Sequence, residues 1–221
     1  MYKKILTSSS LLVCLLSLMI TTAFATEPQN LAISKQDVIK YHDSGAYDYD
    51  ITTVANEAYD YLQIRLAQNP QQKLAMVLDI DDTSLNFYDL QKTDDFSSRQ
   101  DLIIKRLSQS KVPPVKPILD LYNFALKNNV AVFFITGRAE TMRSATTATL
   151  TNAGYKNWSG LYMRGPKDTG RNTVDYKSSL RKQIIANGYD VVLNIGDQYS
   201  DMAGGYADRS YKLPNPYYIV P

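Results

Sequence analysis

A short apolar segment ends in a cluster of acidic residues, and this junction constrains the chain more than any other feature. The segment from Leu74 to Leu78 is typical of a buried strand, and Asp79, Asp81 and Asp82 follow it directly. Carboxylates at the end of a core strand repel one another and lose hydration, which is unfavourable unless a cation or a reaction uses them. In an extended backbone, Asp79 and Asp81 point to the same side. The junction therefore predicts a site where two carboxylates hold a divalent cation and act on a ligand.

A structural calcium loop is the alternative interpretation of this D-x-D pattern. Such a loop requires Gly at its sixth position and Glu at its twelfth, whereas this chain has Ser84 and Leu90 there. The short pattern alone leaves both interpretations open, so the rest of the chain has to discriminate between them.

The N-terminus has the three parts of a cleavable signal peptide. Lys3 and Lys4 supply the positive region, residues 11–20 the apolar region, and Ala23 and Ala25 the A-x-A cleavage site. The apolar region is too short for a transmembrane helix. We therefore expect residues 1–25 to be removed and the mature protein to be exported, either to a periplasm or by secretion.

Charge and cysteine content limit which macromolecular partners and which cysteine chemistry we expect. Cleavage removes Lys3 and Lys4 but no acid, which leaves equal numbers of basic and acidic residues. We expect neither a nucleic-acid polymer nor, after cleavage, a membrane as partner, and the composition predicts no oligomeric state. Cys14 is the only cysteine and leaves with the signal peptide, so no disulfide is expected. Val13 directly before it disfavours lipidation.

Helices and strands alternate along the mature chain. The patterns predict N-terminal helices from Ser34 to Gly45 and from Asp50 to Asn69, strands at 74–78, 131–135, 160–163 and 191–195, and helices at 118–128, 139–153 and 174–187. Residues 84–117 form a small, mainly helical insertion or cap with a helix candidate at 99–109. This alternation predicts an α/β fold, a Rossmann-like parallel sheet with helices on both faces. We expect residues 26–221 to form a single domain.

Polar residues follow the second predicted strand as well. In a parallel sheet, ligands bind beyond the carboxyl ends of the strands. Thr136, Gly137 and Arg138 stand there, just before a predicted helix N-terminus. A hydroxyl, backbone N–H groups and a helix dipole together suit a phosphate. The alternative is that Thr136 is an ordinary helix N-cap and Gly137 a turn residue.

The fourth predicted strand ends in a second pair of acids. Asp197 and Asp201 share a face if their segment turns helically. Two acid pairs that meet at neighbouring strand ends form an oxygen site suited to Mg²⁺. Taken alone, the G-D-x-x-x-D pattern also fits a surface turn. Lys177, near the start of the preceding helix, lies at the edge of this site, although lysines on helices are normally solvated.

The order of these features is more specific than any one of them. D-x-D-x-T at residues 79–83, Thr136 after a strand, Lys177 on a helix and G-D-x-x-x-D at residues 196–201 occur in the order typical of the haloacid dehalogenase superfamily, which the chain therefore resembles. Three segments, 176–182, 194–201 and 212–218, narrow the resemblance to the acid phosphatase branch with four motif aspartates. That branch includes bacterial exported acid phosphatases, plant acid phosphatases and vegetative storage proteins.

The resemblance implies a role for each motif residue. Asp79 would be the nucleophile that forms an aspartyl-phosphate, and Asp81 would be the general acid and base. Thr136, the Gly137 N–H and Lys177 would bind the phosphate of a small-molecule phosphomonoester.

The implied cofactor is Mg²⁺. It would be bound by the carboxylate of Asp79, the backbone carbonyl of Asp81, Asp197 and, directly or through water, Asp201.

Contacts to the leaving group are predicted beside the first motif. Phe87 and Tyr88 stand at the base of the insertion, where aromatic rings could stack on a nucleobase or aryl ring. Core packing is the alternative interpretation of both. Arg138 is a further candidate for a substrate contact.

The function that the resemblance implies is an exported, Mg²⁺-dependent acid phosphatase. A histidine acid phosphatase needs at least two catalytic histidines, and the chain has only His42. A cysteine phosphatase is excluded because Cys14 leaves with the signal. Two alternatives stay open, a non-catalytic storage or binding protein of the same fold and a nucleotide-preferring 5′-nucleotidase. The intact Asp79 favours activity, because some plant storage relatives have lost the nucleophile.

Overall fold

The centre of the molecule is one parallel sheet, as predicted, with one strand more than the sequence indicated. The structure, a computed structural model, describes residues 27–68, 71–97 and 112–220. The strands are β1 Lys73–Leu78, β2 Ala131–Ala139, β3 Gly160–Arg164, β4 Tyr189–Gly196 and β5 Arg209–Lys212. The fifth strand escaped prediction because Tyr211 is its only buried residue, so it lacks the apolar run that marks a buried strand.

Seven α-helices flank the strands within the described ranges. They are α1 Leu31–Asp43, α2 Ala46–Ala67, α3 Tyr88–Thr93, α4 Lys116–Lys127, α5 Arg143–Asn152, α6 Thr173–Ala186 and α7 Tyr199–Met202. The predicted signal peptide at 1–25 and the predicted helix at 99–109 lie outside the described residues. No helix in the described ranges combines the length and apolar character that crossing a bilayer requires.

The N-terminal helices begin earlier than the sequence predicted. The side chain of Asn30 accepts a hydrogen bond from the Ala32 N–H at 2.9 Å and caps α1, whereas the predicted start was Ser34. The second helix likewise begins at Ala46 rather than at Asp50. Asn is as favourable an N-cap as Ser, so the earlier cap determines where α1 begins.

The strand order places the ends of β1 and β4 side by side. The order is β3-β2-β1-β4-β5, and all neighbouring pairs are parallel. The chain therefore runs outward from β1 in one direction and then returns to continue on the other side. Leu78 at the end of β1 is level with Phe134 and Ile195 on its two neighbours. The residues that follow these positions emerge at one edge of the sheet, which is the topological switch point where α/β proteins bind ligands.

Helices cover both faces of the sheet because successive strand residues point to opposite sides. On one face, Leu78 and Phe134 belong to the same buried cluster as Leu62 of α2. On the other face, Val77 packs in a separate cluster with Ile184 of α6. The two apolar layers hold the strands in position, and the strands in turn position the polar residues at their carboxyl ends.

We expect Leu62→Ala to lower the free energy of unfolding by about 2–5 kcal/mol, because Leu62 is fully buried and its truncation leaves a cavity. Ile64→Ala on the same helix is the matched control. Ile64 is 57 % exposed, and its truncation should change stability by less than about 0.5 kcal/mol. Urea denaturation followed by circular dichroism measures both, and equal losses would contradict the packing described here.

Candidate active site

Three carboxylates meet at the carboxyl edge of the sheet, as the sequence analysis expected. Asp79 follows β1 directly, Asp197 follows β4, and Asp201 lies on α7. One carboxylate oxygen of each lies within 4.8 Å of the other two, and all three residues are buried. The backbone N–H of Asp79 donates to the Ile195 carbonyl at 2.9 Å, so the pairing of β1 with β4 continues to Asp79 and aligns the two acid-bearing segments.

Lys177 lies inside this cluster. It stands in the second turn of α6, and its ammonium Nζ donates to Asp79 Oδ1 at 2.5 Å and also contacts Asp201 Oδ1. The side chain of Asn172 caps the helix by accepting a hydrogen bond from the Asp175 N–H at 2.8 Å. The cap fixes the start of the helix and so the point from which Lys177 reaches the carboxylates. A helix lysine is thus buried here rather than solvated.

Charge in the cluster is out of balance. Burial raises the pKa of Asp79, and the neighbouring aspartates raise it further against the opposing effect of Lys177. Burial and Asp201 also raise the pKa of Asp197. Burial alone would lower the pKa of Lys177, but Asp79 and Asp201 outweigh it and raise that pKa. One ammonium group faces three carboxylates, so two negative charges lack a partner when all are ionised, and a divalent cation would neutralise them.

The carboxylate of Asp81 lies apart from the other three and pairs with Arg138. The Asp81 side chain is 31 % exposed. Arg138 donates to Asp81 Oδ1 at 2.7 Å and to Oδ2 at 3.0 Å, while its remaining amino group donates to Thr146 Oγ1 at 3.0 Å. Arg138 was predicted to contact the substrate, but its guanidinium group is paired with the Asp81 carboxylate in the structure. The group of three carboxylates therefore does not include Asp81, although Asp81 lies close enough to contribute to the raised pKa of Asp79.

Thr136 and Gly137 reach the same edge but in a different setting from the one predicted. Thr136 is buried, and its Oγ1 accepts a hydrogen bond from the Arg138 N–H at 3.2 Å. The strand β2 continues through Ala139, and a 3₁₀ turn at Glu140–Met142 separates it from α5. The predicted helix start at residue 139 is therefore wrong, because the strand continues through Ala139 and α5 begins only at Arg143.

Phe87 and Tyr88 are core residues in the structure, which favours the packing interpretation over leaving-group contact. Phe87 is 2 % exposed, and its ring centroid lies 5.6 Å from the Arg138 guanidinium carbon. Tyr88 is 4 % exposed and stacks on His42 with ring centroids 3.4 Å apart. Its hydroxyl donates to Asp43 at 2.7 Å. These contacts join the base of the insertion to α1 instead of opening toward a ligand.

Two buried side chains that the sequence analysis did not single out hold the backbone around Asp201. Arg181 is 1 % exposed and donates to the carbonyls of Asp201 at 2.8 Å, of Gly205 at 2.7 Å and of Ala203. Asn194, in the middle of β4, donates to the same Asp201 carbonyl at 2.9 Å. The detectable signal was Asn194, a polar residue inside an otherwise apolar strand. Arg181 carried no such signal, because a helix arginine is normally on the surface.

Asp197 is held by three side-chain donors. Thr83 donates to its Oδ1 at 3.1 Å, and Asn215 and Gln198 donate to its Oδ2 at 2.6 Å and 2.5 Å. Thr83 is the threonine of the first motif, so the motif links β1 directly to the acid that follows β4. The segment after β5 contributes Asn215, which explains why that segment belongs to the site although it is distant in sequence.

Asp82 is the third acid of the first motif region and is fully buried. Its φ of 50° turns the chain away from the strand direction, and its Oδ1 accepts a hydrogen bond from the Phe87 N–H at 2.9 Å. Burial, followed by the proximity of Asp197, raises its pKa well above the ordinary value. Asp82 therefore shapes the loop, and its burial favours the neutral carboxyl group over the carboxylate.

Gly196 makes room for Asp201. A side-chain carbon at this position would lie 2.6 Å from the Asp201 carboxyl carbon and 2.5 Å from its Cβ. Such distances lie far inside van der Waals contact, so the end of β4 can accommodate only glycine while Asp201 stays in place. The glycine of the G-D-x-x-x-D pattern thus serves close approach rather than backbone freedom.

Fold and site together define the class of this protein. A parallel sheet with acids at the ends of adjacent strands, and a helix lysine between them, is the arrangement of haloacid dehalogenase-like hydrolases. The sequence profile of one family, described as HAD superfamily, subfamily IIIB (Acid phosphatase), matches residues 4–221. The chain belongs to this family, and it is an acid phosphatase, a phosphomonoesterase.

Individual relatives agree with the family assignment. Acid phosphatase 1 of Solanum lycopersicum is 33 % identical over 217 residues, which cover 90 % of this chain and 82 % of that protein. Vegetative storage protein 2 of Arabidopsis thaliana is 30 % identical, with 90 % and 75 % covered. Among solved structures, the class C acid phosphatase from Bacillus anthracis has the same fold, with a TM-score of 0.71, 18 % identity and coverage of 85 % of this chain and 86 % of that one.

We expect Gly196→Ala to destabilise the protein by about 1–3 kcal/mol, the usual cost of overpacking, because the added methyl group would displace Asp201. Gly165→Ala is the matched control. A Cβ at Gly165 would meet nothing closer than 3.8 Å, and its φ is −94°. Urea denaturation of the two variants gives the comparison. A Gly196→Ala midpoint equal to that of the control would show that Asp201 adapts without cost.

Proposed function

We propose that this acid phosphatase is exported, depends on Mg²⁺ and hydrolyses phosphomonoesters through an aspartyl-phosphate on Asp79. The observation that carries the proposal is the buried cluster of Asp79, Asp197 and Asp201, which has a single ammonium partner in Lys177. Such a cluster is unfavourable for stability alone, so it indicates a cation site placed at a nucleophile. Export rests on the signal-peptide pattern of residues 1–25.

The residues fit a magnesium ion. Carboxylate oxygens are the ligands that Mg²⁺ prefers, and three of them converge here from Asp79, Asp197 and Asp201. The main-chain carbonyl of Asp81 is the proposed fourth protein ligand. When bound, the ion would screen the nucleophile from the negative charge of the substrate.

Asp79 is the proposed nucleophile. One of its oxygens forms a bond to phosphorus as the bond from phosphorus to the leaving oxygen breaks on the opposite side. Lys177 already contacts Asp79 Oδ1 at 2.5 Å, so its ammonium is placed to hold a phosphoryl oxygen in the transition state. Thr136 and the Gly137 N–H, at the same edge of the sheet, are the proposed further donors.

Asp81 is the proposed acid and base. It would give a proton to the leaving oxygen in the first step and take one from the attacking water in the second, as the reversal of roles requires. Both of its carboxylate oxygens accept hydrogen bonds from Arg138. One of them has to be released before Asp81 can reach the leaving oxygen, so Arg138 is proposed to hold Asp81 beside the site between proton transfers.

A storage protein without turnover is the second candidate. It is favoured by one observation, the 30 % identity to vegetative storage protein 2. Against it stands the organisation of the site. The nucleophile position is an aspartate, and Lys177, Thr83 and Arg181 all support the cluster around it.

Hydrolysis of p-nitrophenyl phosphate discriminates the two candidates. We expect turnover that chelation with EDTA abolishes and Mg²⁺ restores, because the excess negative charge at Asp79 repels the substrate without a cation. Asp79→Asn should show no turnover above background while its circular dichroism spectrum stays unchanged. Turnover that survives exhaustive chelation would remove the metal from the mechanism. Residual activity in the folded Asp79→Asn variant would point to another nucleophile, and absence of turnover in the wild type under all metal conditions would favour the storage protein.

Asp81→Asn separates the two chemical steps. General acid–base catalysis contributes ~10²–10⁴-fold, and alkyl phosphates need the acid most because alkoxides are strongly basic. The variant should therefore fail at the first step with alkyl phosphates. With p-nitrophenyl phosphate, whose leaving group needs little help, it should phosphorylate Asp79 and release a burst of nitrophenol near one equivalent per site. Rapid mixing measures the burst.

Arg138→Gln is the matched control for this experiment. It breaks the same ion pair but keeps the Asp81 carboxylate, so it should show no burst. Equal losses for alkyl and aryl substrates in Asp81→Asn, without a burst, would exclude Asp81 from proton transfer.

A further inference from the structure

A cavity of about 470 Å³ lies between α7 and the C-terminal segment. Its size is that of a small-molecule site, and its walls are mainly apolar. Three of the residues that line it are unusually exposed for their type. Tyr199 is 79 % exposed, Ile219 is 88 % exposed and Val220 is 38 % exposed. Large apolar side chains grouped around one opening mark a binding surface more often than a chance arrangement.

The cavity adjoins the carboxylate cluster. Gln198 and Asn215 line it, and both donate hydrogen bonds to Asp197. The amide oxygen of Gln198, Oε1, accepts a hydrogen bond from the Val220 N–H at 2.9 Å. Asn215 Oδ1 accepts one from the Tyr217 N–H at 2.8 Å. The wall of the cavity is thus tied to a proposed metal ligand by side chains that touch both.

A cation also lines the cavity. Lys212 ends β5 and is level with Gly196, the residue before Asp197. Its Nζ lies 5.0 Å from the centre of the Tyr199 ring and donates to the Leu213 carbonyl at 3.0 Å. Among the described residues Lys212 forms no salt bridge. The mechanism proposed above gives it no role, although its charge lies in a mainly apolar wall, where an anion would be bound more strongly than in water.

We propose that this cavity is the leaving-group subsite of the enzyme and selects aryl phosphates whose ring carries a carboxylate. The inference rests on the proposed function. The ring would pack against Tyr199 and Ile219, and its carboxylate would pair with Lys212. The reaction itself is unchanged. The phosphoryl group is transferred from the phenolic oxygen to Asp79, and the leaving oxygen takes the proton of Asp81. Water, which returns a proton to Asp81, then cleaves the aspartyl-phosphate, and the products are the hydroxybenzoate and inorganic phosphate.

Three substrates isolate the effect of the charge. They are 4-carboxyphenyl, 4-carbamoylphenyl and phenyl phosphate, of which the first two have nearly the same shape but differ in charge. The wild type should have a KM for the carboxylate about fivefold below that for the carboxamide, as expected for one charge pair at the upper end of the range for surface pairs. Lys212→Met should lose this preference and Lys212→Arg should keep it. Tyr199→Ala should raise the KM of all three substrates and leave inhibition by inorganic phosphate unchanged.

Lys182→Met is the matched control variant. Lys182 also lies over a tyrosine ring, at 5.8 Å from the centre of Tyr206, but does not line the cavity, and its loss should leave the preference intact. A wild-type enzyme without the preference, or a Lys212→Met variant that retains it, would overturn the proposal.

Calorimetric binding of 4-carboxybenzylphosphonate, which cannot be hydrolysed, distinguishes failure of the subsite from failure of the proposed function. Lys212-dependent binding without turnover of any ester would support the subsite and refute the catalytic proposal. Normal turnover with Lys212-independent binding would refute the subsite alone.

Discussion

The main electrostatic constraint on this structure is the excess of negative charge at the ends of β1 and β4. Asp79, Asp197 and Asp201 are buried within 4.8 Å of one another and share one ammonium group. Burial penalises each ionised carboxylate, and their mutual repulsion adds to this cost. The fold tolerates it because the large apolar layers on both faces of the sheet supply stability elsewhere. A stable scaffold can therefore hold a charge arrangement that would be unfavourable as an isolated cluster.

Several buried polar side chains hold Asp201 in place. It follows β4 only on a four-residue helix, which has little intrinsic stability. Arg181 and Asn194 donate hydrogen bonds to the main-chain carbonyl of Asp201. Gly196 leaves the space that the Asp201 carboxylate needs. Arg181 donates its hydrogen bonds to carbonyl oxygens. Burial lowers its pKa, and the charge of Asp201 opposes this effect, so Arg181 both holds this backbone and interacts electrostatically with one acid of the cluster.

The sequence predicted most of the sheet because its central strands are continuous apolar runs, and it predicted the meeting of Asp79 with Asp197 because parallel strands end at one edge. It failed where the local signal was weak or where side-chain direction mattered. The strand β5 has a single buried residue. The helix predicted to begin at residue 139 begins later, because β2 continues through Ala139. Alternation along an extended chain could not reveal that the Asp81 carboxylate pairs with Arg138, because that ion pair joins residues 57 positions apart.

Both cations at the site are engaged by acids. Lys177 is held by Asp79 and Asp201, and Arg138 is held by Asp81. Neither is therefore fully available to a phosphate while the carboxylates remain otherwise unpaired. On the proposed mechanism, a divalent cation that takes over the charge of Asp79 and Asp201 would release Lys177 toward the phosphoryl oxygens. Metal and substrate would then bind cooperatively, since each reduces the electrostatic cost of the other. The shortage of positive charge that makes the cluster unfavourable by itself would, on the proposed mechanism, also couple metal binding to the chemistry.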